Sequence, residues 1–91
     1  MSYSEFGRRV EQNNSGGTDH GTAAPHFVLG GAVNGRQFFG TQPLLNALDS
    51  RGDQIATMDY RRLYRSACDW LGLTAPASVS GFAAIPSLYS A

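Results

Sequence analysis

Lysine is missing from this 91-residue chain: all seven basic residues are arginine, set against seven Asp and Glu, so the formal net charge is zero. That balance removes the simple electrostatic case for binding nucleic acid or an anionic membrane surface. The arginine-only usage reads as a genome-composition bias before it reads as a function. Cysteine is nearly absent as well. The single Cys68 cannot form an internal disulfide, no Cys/His cluster has zinc-finger spacing, and its place in a predicted helix marks it as a small packed residue, not a nucleophile. No apolar run approaches the roughly 18 residues needed to cross a bilayer. The amino terminus, Met1-Ser2-Tyr3-Ser4-Glu5, lacks the basic-then-apolar order of a signal peptide. As written, the chain is expected in the cytoplasm, with neither a membrane nor a nucleic acid as partner. Its length allows one domain at most, with a thin core, because a chain this short buries only roughly 60–68% of its unfolded surface.

What is present centres on Gly16-Gly17-Thr18-Asp19-His20-Gly21. An adjacent Asp-His pair between glycines can aim a carboxylate oxygen and an imidazole nitrogen at one divalent cation, the glycines letting the backbone fold tightly around it. The bland alternative is an Asx-type turn with a solvated histidine. The pair falls in residues 11–24, rich in Asn, Gly, Ser and Thr and without periodicity, which predicts a long loop.

Around that loop the local signals are uneven. Residues 2–6 alternate polar and aromatic like the end of a strand, and 27–33 is an apolar run ending in Gly30-Gly31 that reads as a buried strand. Asn34-Gly35 predicts a turn, with Phe38-Phe39 on a hairpin's return strand. Residues 43–48 are either a helical turn or an extended connection. Asp49-Ser50-Arg51-Gly52-Asp53 is a turn leading to Gln54-Ile55-Ala56, and its Arg-Gly-Asp letters reflect turn composition rather than adhesion. The clearest prediction is a helix over 59–71. Tyr60, Leu63, Tyr64, Ala67, Trp70 and Leu71 share one face, expected to bury against a sheet, with Thr57 or Met58 near the cap, Asp59 in the first turn and Gly72 as the stop. Arg61, Arg62, Arg65 and Asp69 then form a solvated face. The tail, 76–91, carries Phe82, Ile85 and Leu88 spaced by threes and is expected to pack over the body or fray.

Three ordered stretches, Ser4-Glu5-Phe6-Gly7-Arg8-Arg9-Val10, Asn14 through Ala23, and Phe27 through Val33, resemble the C-terminal part of a bacterial family, domain of unknown function 1501. The likeness continues through Leu48-Asp49, Gly52-Asp53, Thr57 through Arg61, Tyr64 and Asp69-Trp70-Leu71-Gly72. Members of that family look like sulfatases of the alkaline-phosphatase-like superfamily. The resemblance implies an α/β fold: a C-terminal fragment of a three-layer sandwich, a single partial domain over 1–91 with two to four short strands, a metal-facing loop at 11–24 and one amphipathic helix. It also implies a metal-dependent hydrolase of phosphate or sulfate esters whose nucleophile-bearing N-terminal part lies outside this chain. Full-length relatives are expected to be exported through the twin-arginine route.

By that resemblance the metal ligands are Asp19 and His20, with zinc or manganese as the cofactor. In a second assignment Ser4-Glu5-Phe6-Gly7 stands where other members have Ser-Asp-His-Gly, so Glu5 is the carboxylate ligand and His20 a later histidine ligand. Phe6 is then a departure from the pattern. Both assignments keep His20. Glu5 either ligates metal or pairs with Arg8 or Arg9, and Arg8 either holds an anionic substrate through its guanidinium fork or pairs with Glu5 or Asp19. Thr18 and Thr22 are placed to orient the pair, and His26 is expected at a strand edge. The partner implied is the missing N-terminal portion. The contrasting reading is a non-catalytic chain that acts as an interaction module or pairs with a second copy through an exposed sheet edge and helix face.

Overall fold

A computed structural model of the protein describes residues 1–90. The chain divides into two compact units, one formed by Met1–Val28 with Thr41–Thr57 and the other by Leu29–Gly40 with Met58–Ala91. Between them they hold a two-stranded antiparallel sheet and two short helices, the content of a small α/β fragment.

In the first unit, β1 (Gly7–Gln12) pairs with β2 (Thr18–Gly21), with Gly7 opposite Gly21, Arg8 opposite His20 and Gln12 opposite Thr18. Asn13 makes the reversal. Its Oδ1 accepts from the backbone N–H of both Ser15 and Gly17 at 3.0 Å, while its own N–H donates to the Gly17 carbonyl at 2.7 Å. Asparagine favours such reversals because its side chain mimics a backbone acceptor. Between the Arg8 and Gln12 pairings, Arg9, Val10 and Glu11 face the lone Asp19, so the ladder bulges there.

The loop expected over 11–24 is therefore largely a hairpin, and the strand end expected at 2–6 begins later, at Gly7. Ser2 instead ties down Phe27: its N–H donates to the Phe27 carbonyl and its Oγ accepts from the Phe27 N–H, both at 2.8 Å. No strand forms over 27–33 or at Phe38-Phe39. Leu29 and Phe38 are exposed, Phe38 completely, and Val33 makes one isolated bridge, to Tyr89. An apolar run becomes a strand only where a neighbouring ladder satisfies its backbone, and here a single bridge is all it finds.

A second loop completes this unit. Asp49 Oδ1 accepts from the N–H of Arg51 and Asp53 at 2.9 and 3.0 Å, which holds the Asp49 carboxyl below its usual pKa, with the Asp53 amide as the larger cause. Leu48 and Gln54 bridge across its base. The loop docks on the hairpin through three contacts: Gln54 Nε2 to the Arg8 carbonyl at 3.1 Å, Thr22 Oγ1 to the Gln54 carbonyl at 2.9 Å, and Arg9 Nε to Asp53 Oδ1 at 2.9 Å. Asp53 is thereby buried.

The second unit is built on α1 (Tyr60–Leu71). Its N-cap is Asp59, and not Thr57 or Met58 as the sequence suggests, with Oδ1 accepting from the Arg61 N–H at 2.9 Å. The Arg61 side chain returns to the same carboxylate and, with that amide, holds its pKa down to about 2. At the other end Gly72 takes a left-handed conformation, φ 71°, that lets the N–H groups of Gly72 and Leu73 turn back onto the carbonyls of Asp69 and Cys68.

The expected face of α1 is only partly covered: Leu63 and Ala67 are half-buried and Trp70 stacks on Tyr89, ring centres 5.3 Å apart. Tyr60, Trp70 and Leu71 are more than half exposed and Tyr64 is 38% exposed, whereas Ser66 is 3% exposed. Ser66 Oγ donates to the Arg62 carbonyl at 2.7 Å and accepts from the Ile85 N–H at 2.8 Å. The tail lies along this side. Arg62 Nε donates to the Ala83 carbonyl and Arg65 to the Ser80 carbonyl, and the Arg61 guanidinium sits 4.1 Å from the Phe82 ring centre. Arginine stems and forks thus cover a segment that supplies backbone acceptors and few large side chains. The tail forms a short helix α2 (Ala77–Ser80), and Val79, Ile85 and Leu88 are the buried hydrophobic residues among those described. Cys68 is half-buried. No helix among the described residues is long and apolar enough to cross a membrane.

Candidate functional site

The hairpin brings together the two segments that carry the chemical motifs. Register sets Arg8 directly across from His20, and the chain just before β1 folds back so that the Phe6 ring stacks on the His20 imidazole, centres 3.6 Å apart and planes inclined by 15°. The Arg8 guanidinium carbon lies 4.9 Å from the same Phe6 ring centre, and its NH1 donates to the Thr18 carbonyl at 2.6 Å. Arg8, Phe6 and His20 therefore form one cluster built across the strands, with Arg8 and His20 exposed and Phe6 half-buried. Neither ring nitrogen of His20 makes a hydrogen bond among the described residues.

Asp19 and His20 do not converge. Successive residues of a strand point to opposite faces. Asp19 Oδ1 accepts from Asn13 Nδ2 at 3.2 Å and lines a shallow polar recess with Arg9, Glu11, Gln12, Asn13 and Asn14. The glycine-flanked loop that would have let both side chains reach one cation is a strand at this position, and a strand imposes alternation.

Glu5 is exposed and makes neither an ion pair nor a side-chain hydrogen bond among the described residues. The pairings open to it from the sequence are not formed, because Arg9 is committed to Asp53 and Arg8 to the Thr18 carbonyl. Glu5 is adjacent in sequence to Phe6, so the stack holds its backbone next to the His20 segment. Thr22 turns away to Gln54, and His26 Nδ1 lies 3.4 Å from Ser2 Oγ.

A divalent cation would find part of a donor set here. His20 fits, having its ring plane fixed and its nitrogens open, and Glu5 offers an unengaged carboxylate. A catalytic zinc site takes three protein ligands, and no three His, Cys, Asp or Glu side chains are grouped to hold a metal among the described residues. Two contributors were not singled out from the sequence. Asn13, whose place before Asn-Ser-Gly-Gly signals a turn, anchors Asp19. Asp53 anchors Arg9 from 44 residues away, a distance at which no local pattern reports a pairing.

No curated protein and no solved structure matches the chain. A family model does, over residues 1–77, most of the sequence and the whole of the hairpin: the chain belongs to the family described as protein of unknown function (DUF1501).

Proposed function

We propose that the chain contributes part of a divalent-metal centre in a sulfatase- or phosphatase-like hydrolase, with His20 as a metal ligand, Glu5 as the unengaged carboxylate and Arg8 as the group that holds the anionic ester. The observation that carries this reading is the cross-strand cluster: one imidazole with unengaged nitrogens and one guanidinium set opposite each other on a hairpin. The placement of the Ser4-Glu5-Phe6 segment against His20 supports the assignment in which Glu5 and His20 serve together, and Asp19, on the other strand face, steadies the Asn13 turn. A cation bound there, zinc or manganese, would polarise a phosphoryl or sulfuryl oxygen and offset the charge that gathers on it. Arg8 has one N–H donated to the Thr18 carbonyl, and its remaining guanidinium donors are those that would meet a tetrahedral anion. The remaining ligands and the nucleophile come from outside this set of residues, in a further segment or a second copy.

A thermal melt of the chain in chelator, then in zinc or manganese, tests the proposal beside His20→Ala. A rise in melting temperature that His20→Ala abolishes is expected, since a ligand bound only by the folded state stabilises it by mass action. A cooperative melt indifferent to both metals contradicts it. The exposed row Tyr60, Tyr64, Trp70 and Leu71 favours the second reading, an interaction module. That reading expects self-association by sedimentation that Trp70→Ser weakens, with no metal dependence.

A further inference from the structure

We infer that the side of α1 carrying Ser66, together with residues 32–34, forms a groove for an extended peptide, and that this groove, filled here by the chain's own residues 82–90, accepts the same residues of a second copy. Beyond α2 the segment has one isolated bridge, at Tyr89, and otherwise neither helix nor strand. Its conformation comes from what it lies against. Ser87 is left-handed, φ 62°, a state that a residue other than glycine keeps only where its surroundings over-determine it. Asn34 Nδ2 supplies that constraint, donating to the Ser87 carbonyl at 2.6 Å.

The groove reads the segment's backbone from two sides. From α1, Ser66 Oγ accepts from the Ile85 N–H at 2.8 Å and Arg62 Nε donates to the Ala83 carbonyl at 3.0 Å. From residues 32–34, the Asn34 N–H donates to the Leu88 carbonyl at 3.0 Å and the Ala32 carbonyl accepts from the Ser90 N–H at 2.7 Å. In peptide recognition of this kind main-chain bonds give affinity and side-chain pockets give the choice of sequence. Here the choice falls to Ile85 and Leu88, both buried, and to Tyr89, stacked on Trp70. The sequence that fits is the chain's own, so a second copy is the partner that carries it. A segment exchanged between two copies makes the same contacts it makes within one. Because a tethered segment has an effective concentration of order ~1 mM, the native chain stays monomeric below that and exchanges only when its resident segment is weakened. Association through the exposed row of Tyr60, Tyr64 and Leu71 differs in leaving the segment in place.

The test mixes two full-length variants. Leu88→Asn keeps the groove and spoils the segment; Ser66→Leu blocks the groove and keeps the segment, and as a donor it need not itself be folded. By sedimentation each should be monomeric alone, and the mixture should form a one-to-one complex. A fluorescent peptide of residues 82–90 is a second donor. Its affinity for Leu88→Asn should exceed that for the native chain, whose own segment competes, by at least ~30-fold, the lower end of what a lost buried leucine costs. Where Leu88→Asn is unfolded alone, either donor should restore the helicity of α1 by circular dichroism. A mixture that sediments as two separate chains without gain of helicity, or a peptide bound no better by Leu88→Asn than by the native chain, would overturn the inference.

Discussion

Breaking the ion pair between Arg9 and Asp53 should cost very different amounts depending on which partner is removed. Arg9 Nε lies 2.9 Å from Asp53 Oδ1, and the side chains are unequally covered: that of Asp53 is 7% exposed and that of Arg9 34% exposed. In Asp53→Asn the guanidinium keeps a neutral acceptor and can turn to water. The loss is that of a charge-assisted bond, ~1.5–3 kcal/mol when fully desolvated, drawn toward the ~0.2–1 kcal/mol of exposed pairs by the wet arginine; about 1 kcal/mol is expected. In Arg9→Met the aliphatic stem is kept and the carboxylate is left buried without a partner. Removing one member of a fully buried pair costs ~3–5 kcal/mol, and access of water through the space vacated by the guanidinium reduces this to about 2–3 kcal/mol. For a chain of this size ~1 kcal/mol moves the melting temperature by about 4–8 °C. Calorimetric melts should show Arg9→Met falling at least twice as far as Asp53→Asn, with the double variant more stable than Arg9→Met alone. A larger loss in Asp53→Asn would refute the reasoning, since it would mean that the aspartate does not depend on this arginine for its charge balance.

Three further outcomes follow from single contacts. Ser66→Ala should destabilise by ~1–3 kcal/mol, because the buried Ile85 N–H loses its acceptor, and amide exchange at Ile85 should accelerate before that at β1. A Cβ built on Gly7 would overlap the Ala23 carbonyl, while one on Gly35 meets nothing within 4 Å; Gly7→Ala should therefore reach or exceed the ~3 kcal/mol top of the usual overpacking range and Gly35→Ala should leave the melt nearly unchanged. The Asp59 carboxyl titrates lower in the folded protein than its ordinary 3.8, at about 2. Its contribution is complete above the unfolded value and lost as pH falls through the folded one, so helicity of α1 by circular dichroism should decline between pH 3.8 and about 2, and Asp59→Asn, which keeps a capping oxygen, should flatten that decline.

The features legible in the sequence are those settled within a few residues. Helix α1 falls where its apolar periodicity and a terminal glycine agree, with the cap at Asp59 and not at Thr57 or Met58, and the Asp49–Asp53 turn is visible in its composition. The buried face of α1 was not legible. Periodicity finds an apolar stripe, but the tail, besides stacking Tyr89 on Trp70, offers carbonyls to Arg62 and Arg65, a preference no hydrophobic pattern encodes. The hairpin was hidden for a related reason: Gly7–Gln12 and Thr18–Gly21 are polar on both faces, so alternation gives no sign of a strand. Its existence rests on the Asn13 turn and on pairing, and it changes the chemistry, because Asp19 and His20, neighbours in sequence, diverge on a strand. His20 itself stood out in the sequence, and the ring that stacks on it stood out only as a departure from a pattern.

The most direct test of His20 as a metal ligand is its side-chain nitrogen spectrum during a zinc titration of the chain. One His20 ring nitrogen should take on the shift of a metal-bound imidazole, with His26 unmoved and Glu5→Gln weakening the effect more than Asp19→Asn. Unchanged His20 nitrogens at saturating zinc, or equal responses from His20 and His26, would contradict the account.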